Sequence, residues 1–324
     1  MPPMALGEFA LIDRFFRRPV QRAALGVGDD CALLRVRPGM QLAVSTDLLV
    51  EGRHFLSTVD PARLGHKALA VNLSDLAASG AEPLAFTLSL ALPRADEAFL
   101  APFAQGLLAL ADAHGIELVG GDTTAGPLTI GITVMGEVPP GEALLRSGAR
   151  PGDALWVSGT LGDARLALEA FRGTVTLSGE GFEQARRAME TPTPRVALGR
   201  ALRGVASAAI DLSDGLLGDL GHVLTRSGVG AELEEAALPR SALLADQSAA
   251  LQRTCLLAGG DDYELLFSAP EAHEAGVRAA GAAAGVAVTR IGRLTAAPGL
   301  VVRDAQGAAL DLRGWRGFDH FATP

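Results

Sequence analysis

PARLGHKALAVNLSDLAASGAEPLAFTLSLAL, residues 61–92, decides the fold class. Residues 61–80 read as a helix with Pro61 in the first turn, where a missing N–H does no harm. Residues 84–92 read as a strand closed by Pro93. Working outward, residues 5–18 are an amphipathic helical pattern. Residues 41–46 are an apolar, alternating strand that runs into a polar turn, Ser45-Thr46-Asp47. Beyond Pro93 come a helix over 95–114, closed by Gly115, and strands over 116–120 and 127–137. Three prolines and several glycines between Pro139 and Gly152 place a domain boundary near 145. The second half repeats the style, with strands at 154–158, 207–212, 230–235, 263–268, 287–293 and 299–303. Helices at 162–171, 195–203, 215–227, 240–251 and 271–284 separate them. This alternation predicts an α/β protein of two domains, 1–145 and 146–324.

The chain has 324 residues, 48% hydrophobic and 20% charged, enough for sizeable cores. Its net charge of −9 argues against a generic nucleic-acid binder. Small anionic ligands stay open, because bound metal ions reverse the local sign. Lys67 is the only lysine, and none follows a glycine loop as a P-loop requires. Cys31 and Cys255 form no CxxC pair, so a disulfide scaffold or structural zinc is not expected and a reducing cytoplasm is. Glu8, Asp13 and Arg14 do not suit a signal peptide. Charges such as Asp75 and Glu82 interrupt the alanine-rich stretches short of the roughly 18 apolar residues of a membrane span.

Five acidic turns share one form, an aspartate beside Gly, Ser or Thr. They are Gly26–Asp30, Ser45–Asp47, Leu73–Asp75, Gly120–Thr124 and Asp211–Gly215. Glycine admits close backbone approach, and serine or threonine adds hydroxyl oxygens. Oxygen-only donors suit Mg²⁺, which shares its ligands between carboxylates and substrate phosphates. Any one such aspartate is a helix N-cap more often than a ligand. Asp75, inside an apolar helical run, is the exception. Val71–Leu76 also resembles Ile210–Gly215, and Gly120-Gly121-Asp122 resembles Gly259-Gly260-Asp261, each pair 139 residues apart (71 to 210, 120 to 259). The shared offset predicts two related units in tandem.

Together with GEFALIDRFF, GVGDDCALL, STDLLVEGRHF, KALAVNLSDLAASGAEP, RSGARPGD, GGDDYEL and GFDHF, these turns resemble the thiamine-monophosphate kinase family over nearly the whole chain. That family is similar to aminoimidazole ribonucleotide synthetase, whose group binds ATP without a P-loop. The resemblance implies two α/β domains with mixed sheets flanked by helices. It implies ATP-dependent phosphorylation of thiamine monophosphate to thiamine diphosphate, several Mg²⁺ ions, and a homodimer made through the first domain. By motif match, Asp30, Ser45, Thr46, Asp47, Asp75, Asp122, Asp211 and Asp214 are the implied metal ligands. Gly121, Asp122, Arg146 and Ser213 are the implied ATP contacts, and His54, Asp261 and Phe318 line the thiamine phosphate. Asp261 stands where the family more usually has glutamate, and Phe318 where tyrosine also occurs.

These residue types suit such a reaction. A phosphate monoester is largely dianionic at neutral pH, so the attacking group needs no base. The difficulty is repulsion between two polyanions, which carboxylate-held magnesium relieves. No side chain is expected to act as acid or base. Arg146 would clamp phosphate bidentately; a loop arginine is more often only solvated. Trp315, Phe318 and Phe321 offer aromatic faces to a cationic thiazolium. Tyr263, the only tyrosine, falls in an expected strand and reads as structural. The alternatives are another ATP enzyme of the group, such as a purine-pathway synthetase, or a metal–nucleotide sensor without catalysis.

Overall fold

The structure is a computed structural model that describes residues 7–315 and Gly317. The chain divides into two compact units, residues 1–76 with 81–141, and residues 77–80 with 142–324. Each is a mixed α/β layer, in agreement with the expected fold class.

The first unit opens with α1 (Glu8–Phe15), then runs irregularly to β1 (Gln41–Val50), α2 (Pro61–Ala78), β2 (Glu82–Leu92), α3 (Glu97–His114), β3 (Glu117–Ala125) and β4 (Thr129–Val138). The sheet order is β1-β4-β2-β3, antiparallel except for the β2–β3 pair. The helices α2 and α3 pack through glycines. A Cβ on Gly65 would lie 2.0 Å from the Phe103 carbonyl, and one on Gly106 would lie 1.9 Å from that of Ala62. Asp96 caps α3 by accepting from the Ala98 N–H, and Gly115 ends it at φ +60°. The irregular segment is pinned from both sides. Glu117 accepts from the N–H groups of Gln21, Arg22 and Ala23 at 2.6, 2.9 and 2.9 Å. Burial alone would raise that carboxyl's pKa, but the three donors outweigh it and hold it below the usual range. The fully buried Glu137 accepts from the Arg37 N–H at 2.7 Å and pairs with Arg22 and Arg37.

The second unit carries β5 (Ala154–Ser158), α4 (Asp163–Phe171), α5 (Gly179–Glu190), α6 (Val196–Ala201), β6 (Ala208–Asp211), α7 (Leu216–Ser227) and β7 (Gly230–Glu234). It continues with α8 (Ala242–Ala245), α9 (Ala249–Ala258), β8 (Leu265–Ala269), α10 (Glu274–Ala284), β9 (Val288–Thr295) and β10 (Gly299–Arg303). Its sheet order is β10-β7-β9-β5-β8-β6, with only β10–β7 parallel. The core is aliphatic, from Leu155 and Val157 on β5 through Leu216 and Leu220 on α7 to Leu266 on β8.

Three expectations are corrected. Ser45-Thr46-Asp47 lies inside β1 and Gly120–Thr124 inside β3, so neither is a turn. Cross-strand pairing overrides the local turn signal of Gly, Ser and Asp there. The expected helix over 240–251 is two helices, because Ser241 and Ser248 each begin a new one by accepting from the N–H three residues on. The tandem repeat fails locally. Val71–Leu76 is helix interior where Ile210–Gly215 is a strand end, and Gly120–Asp122 is strand where Gly259–Asp261 is loop.

Candidate functional site

Acidic and hydroxyl side chains gather in three places, two in the first unit and one in the second. The first is the free edge of the four-stranded sheet. Alternation along β1 turns Ser45 and Asp47 to one face and Thr46 to the other. On the first face the Ser45 hydroxyl donates to the half-buried Asp75 carboxylate of α2. The Asp47 N–H donates to Asn72 Oδ1 at 3.1 Å, and Asn72 is itself fixed by donating to the Ala68 carbonyl at 2.9 Å. On the opposite face Thr46 and Thr133 share a hydroxyl hydrogen bond of 2.8 Å. Past the end of β1, Gly52 turns the chain at φ +76°, and His54 Nδ1 accepts from the Val50 N–H at 3.0 Å. In the neutral ring that bond puts the proton on Nε2.

The second place is a cavity of about 560 Å³ at the other edge. Phe9 and Ile12 of α1, with Phe16 just past its end, make its apolar wall, and Gly28–Asp30 with Gly120–Thr123 make its polar wall. A β-bulge between Phe86 and Thr87 sets this edge, because Phe86 pairs with Leu118 and Thr87 with Gly120. The extra residue, Val119, shifts which face Asp122 takes. Gly121 must be glycine: its φ is +148°, and a Cβ would lie 1.8 Å from the Leu88 carbonyl. Asp122 is exposed and registers with Ser89, Gly131 and Leu48 across the sheet. Three strand spacings separate it from β1, about 14 Å. One chain therefore brings Asp47 to Asp75, and Asp30 to Gly121 and Asp122, but holds the two sets apart.

The third place joins two loops of the second unit. Asp211, buried, ends β6, and Ser213 and Asp214 follow in the loop before α7. Asp219 Oδ2 accepts from the N–H groups of Ser213, Asp214 and Gly215, each at 3.1 Å. Its carboxyl is pushed up to about 7, chiefly by burial and next by the charge of Asp214. The helix N-terminus is thus occupied by the chain's own carboxylate, and these donors are not offered to a phosphate. Alongside runs 259–264. The Asp261 N–H donates to the Ser213 carbonyl at 2.9 Å, the Tyr263 N–H to that of Leu212 at 2.8 Å, and the Leu212 N–H to that of Glu264 at 2.9 Å. The Leu145 carbonyl accepts from the Ala209 N–H at 2.9 Å, and the Ser227 hydroxyl donates to the Arg146 carbonyl at 3.0 Å. These bonds set the exposed Arg146 beside β6.

The structure thus brings Asp211, Ser213, Asp214 and Asp261 together. Phe318 and Phe321 lie outside the described residues. Trp315 packs on the aliphatic core and donates to Thr254 at 3.5 Å. Tyr263 is not in a strand, since β8 begins at Leu265; its hydroxyl donates to Asp261 Oδ1 at 3.1 Å. Motif reading passes over Asp219 and takes Tyr263 as structural. The signal for Asp219 was an aspartate inside an otherwise apolar helical run.

Among the described residues no three His, Cys, Asp or Glu side chains form a ready metal cage. Paired carboxylate and hydroxyl oxygens are what is present, and they fit Mg²⁺, which keeps waters and takes one or two carboxylates beside substrate phosphates. No described helix is long and apolar enough to cross a membrane.

Comparison with known proteins follows the same lines. Models of the AIR synthase related protein N-terminal and C-terminal domains match residues 28–138 and 150–305. The thiamine-monophosphate kinase of Salmonella typhimurium is 47% identical over 332 residues, 99% of this chain and 100% of that one. The crystal structure of thiamine-monophosphate kinase from Stenotrophomonas maltophilia superposes with a TM-score of 0.85 at 44% identity, over 95% of this chain and 99% of that one. The structure described as AaThiL complexed with AMPPCP and TMP gives 0.77 at 30% identity, over 98% and 97%.

Proposed function

The chain belongs to the thiamine-monophosphate kinase family, and from that premise we propose that it moves the terminal phosphoryl group of ATP onto the phosphate of thiamine monophosphate. The products are thiamine diphosphate and ADP. The observation that carries the reading is the end-to-end likeness to kinases of that name, one of them determined with AMPPCP and TMP.

The residues support it. The cavity walled by Asp30, Gly121 and Asp122 in the first unit is assigned to the nucleotide. Motif match names Arg146 and Ser213, in the second unit, as ATP contacts. His54, Asp261 and Phe318 are assigned to thiamine monophosphate. Mg²⁺ would be held by Asp47 and Asp75 with Ser45, by Asp30 and Asp122, and by Asp211 and Asp214; the Thr46 hydroxyl, on the opposite face of β1 and bonded to Thr133, is not brought to the Asp47 set. When bound it supplies charge neutralisation between the phosphates of the two ligands. The chain's own part is alignment. Asn72 fixes the backbone at Asp47, Ser45 fixes the carboxylate of Asp75, and Asp219 fixes the loop that presents Ser213 and Asp214. The acceptor phosphate is already dianionic, so no side chain need remove a proton. His54→Ala should therefore keep both limbs of the pH–rate profile.

We place the reaction in the cytoplasm. Cys31 and Cys255 are free, and ATP is the co-substrate. We also infer a homodimer. Leu42, Val44 and Leu48 are 45%, 59% and 56% exposed along β1, a row of apolar side chains on an open sheet edge.

The test is phosphorus NMR of purified protein with Mg-ATP and thiamine monophosphate. A new diphosphate ester should appear, and Asp47→Asn should abolish it. Free thiamine should not replace the monophosphate, since its alcohol would need a base. ATP binding without ADP formation would favour a sensor instead.

A further inference from the structure

Asp261 and Tyr263 are the described non-glycine residues with positive φ, at +67° and +50°. A residue with a Cβ rarely adopts this conformation, and a bulky aromatic one less often still. Such strain persists only where the surroundings over-determine it. Here each residue from 261 to 264 is tied. Asp261 and Tyr263 donate their N–H groups to Ser213 and Leu212, as described above. Asp262 accepts from the Gly162 N–H at 2.8 Å. The buried Glu264 accepts from Arg195 Nε at 2.7 Å and from the Ser158 hydroxyl.

The strain has one visible result. It turns the buried Tyr263 ring back along the chain, so that its hydroxyl meets Asp261 Oδ1 at 3.1 Å. Extended backbone would instead send the side chains of 261 and 263 to one face without this closure. A loop aspartate otherwise samples several rotamers, and a ligand that needs one of them must freeze the rest. A phenolic donor on one carboxylate oxygen removes that freedom beforehand.

We propose that Tyr263 is a positioning residue, whose hydroxyl holds the Asp261 carboxylate in the rotamer that meets the cationic thiamine moiety. This rests on the reading of Asp261 as a substrate contact.

The test compares wild type, Tyr263→Phe, Asp261→Ala and the double variant in steady-state kinetics, varying each substrate against saturation of the other. Tyr263→Phe should raise KM for thiamine monophosphate about tenfold, the effect of losing one hydrogen bond to a charged group. KM for Mg-ATP should stay within about twofold and the melting temperature should hold, because the ring still fills its site. The double variant should be no worse than Asp261→Ala alone, since both lesions remove one device. An unchanged KM for thiamine monophosphate in Tyr263→Phe overturns the inference. So do effects that multiply in the double variant, or equal loss of both KM values with a lowered melting temperature, which would mark a merely structural hydroxyl. Wild type without thiamine monophosphate turnover would overturn the underlying reading as well, a different and recognisable result.

Discussion

At Asp219 the chain commits a buried carboxylate to its own backbone. The side chain is 2% exposed and its carboxyl is raised from 3.8 to about 7. Burial is the main cause and the neighbouring Asp214 the second, while the three N–H donors pull the other way. A carboxyl raised by folding is protonated more readily in the folded chain than in the unfolded one. Its contribution to stability is therefore complete below about pH 4 and lost as pH rises through about 7. At about 1.4 kcal/mol per unit the span amounts to roughly 4 kcal/mol. Asp219→Asn keeps an acceptor oxygen and cannot ionise. In metal-free buffer its urea midpoint should vary less than wild type's between pH 5 and 8, and at pH 8 it should equal or exceed wild type's. A wild-type midpoint that rises over that range as steeply as the variant's would contradict this. Gly121 makes the opposite case, where backbone space decides. With φ at +148° and 1.8 Å to the Leu88 carbonyl, Gly121→Ala must distort β3 beneath Asp122. The expected loss is roughly 2–4 kcal/mol of stability together with nucleotide binding, seen by thermal melt and by titration with ATP.

At the scale of elements, the close crossing of α2 and α3 is the feature most open to test. A methyl on Gly106 would lie 1.9 Å from the Ala62 carbonyl, so the helices must part by more than an ångström. Both bury aliphatic faces there, and Gly106→Ala should lower the melting temperature by roughly 5 °C or more through lost packing. Valine at the exposed Ala101 of α3 should leave it nearly unchanged. Elements of this kind were legible in the sequence. Pro61, Pro93 and Gly115 bound α2, β2 and α3, and their apolar patterns are long enough to set the element type. The polar motifs were less legible, for a physical reason. Ser45–Asp47 and Gly120–Thr124 have the composition of turns, but β4 and β2 supply ladder partners that no local pattern reveals. The site divides in the same way. Aspartates were found by motif, whereas the bond from Tyr263 to Asp261 arises from a backbone twist that sequence does not display.

For the whole molecule, the governing fact is a net charge of −9 in a chain proposed to hold two phosphorylated ligands. Without divalent cations the carboxylates and phosphates repel, so excess EDTA should abolish turnover and Mg²⁺ should restore it. Asp75→Asn should raise the Mg²⁺ concentration needed for half-maximal rate, by about tenfold if one carboxylate ligand is lost. The same scale contains the assembly. One sheet holds Asp47 about 14 Å from the edge strand bearing Asp122, and Leu42, Val44 and Leu48 stand exposed on the face of β1 opposite Asp47. Burying such a row against a second copy removes apolar area from water at about 25 cal/mol per Å². A charge there would have to be desolvated unpaired. Val44→Asp combined with Leu48→Asp should therefore convert a species of twice 33.3 kDa into one of 33.3 kDa in sedimentation equilibrium. Neither side chain belongs to the packed core, so the melting profile of the separated chain should remain cooperative. A wild-type chain already sedimenting at 33.3 kDa would remove the dimer from the proposal and leave the apolar row of β1 facing water.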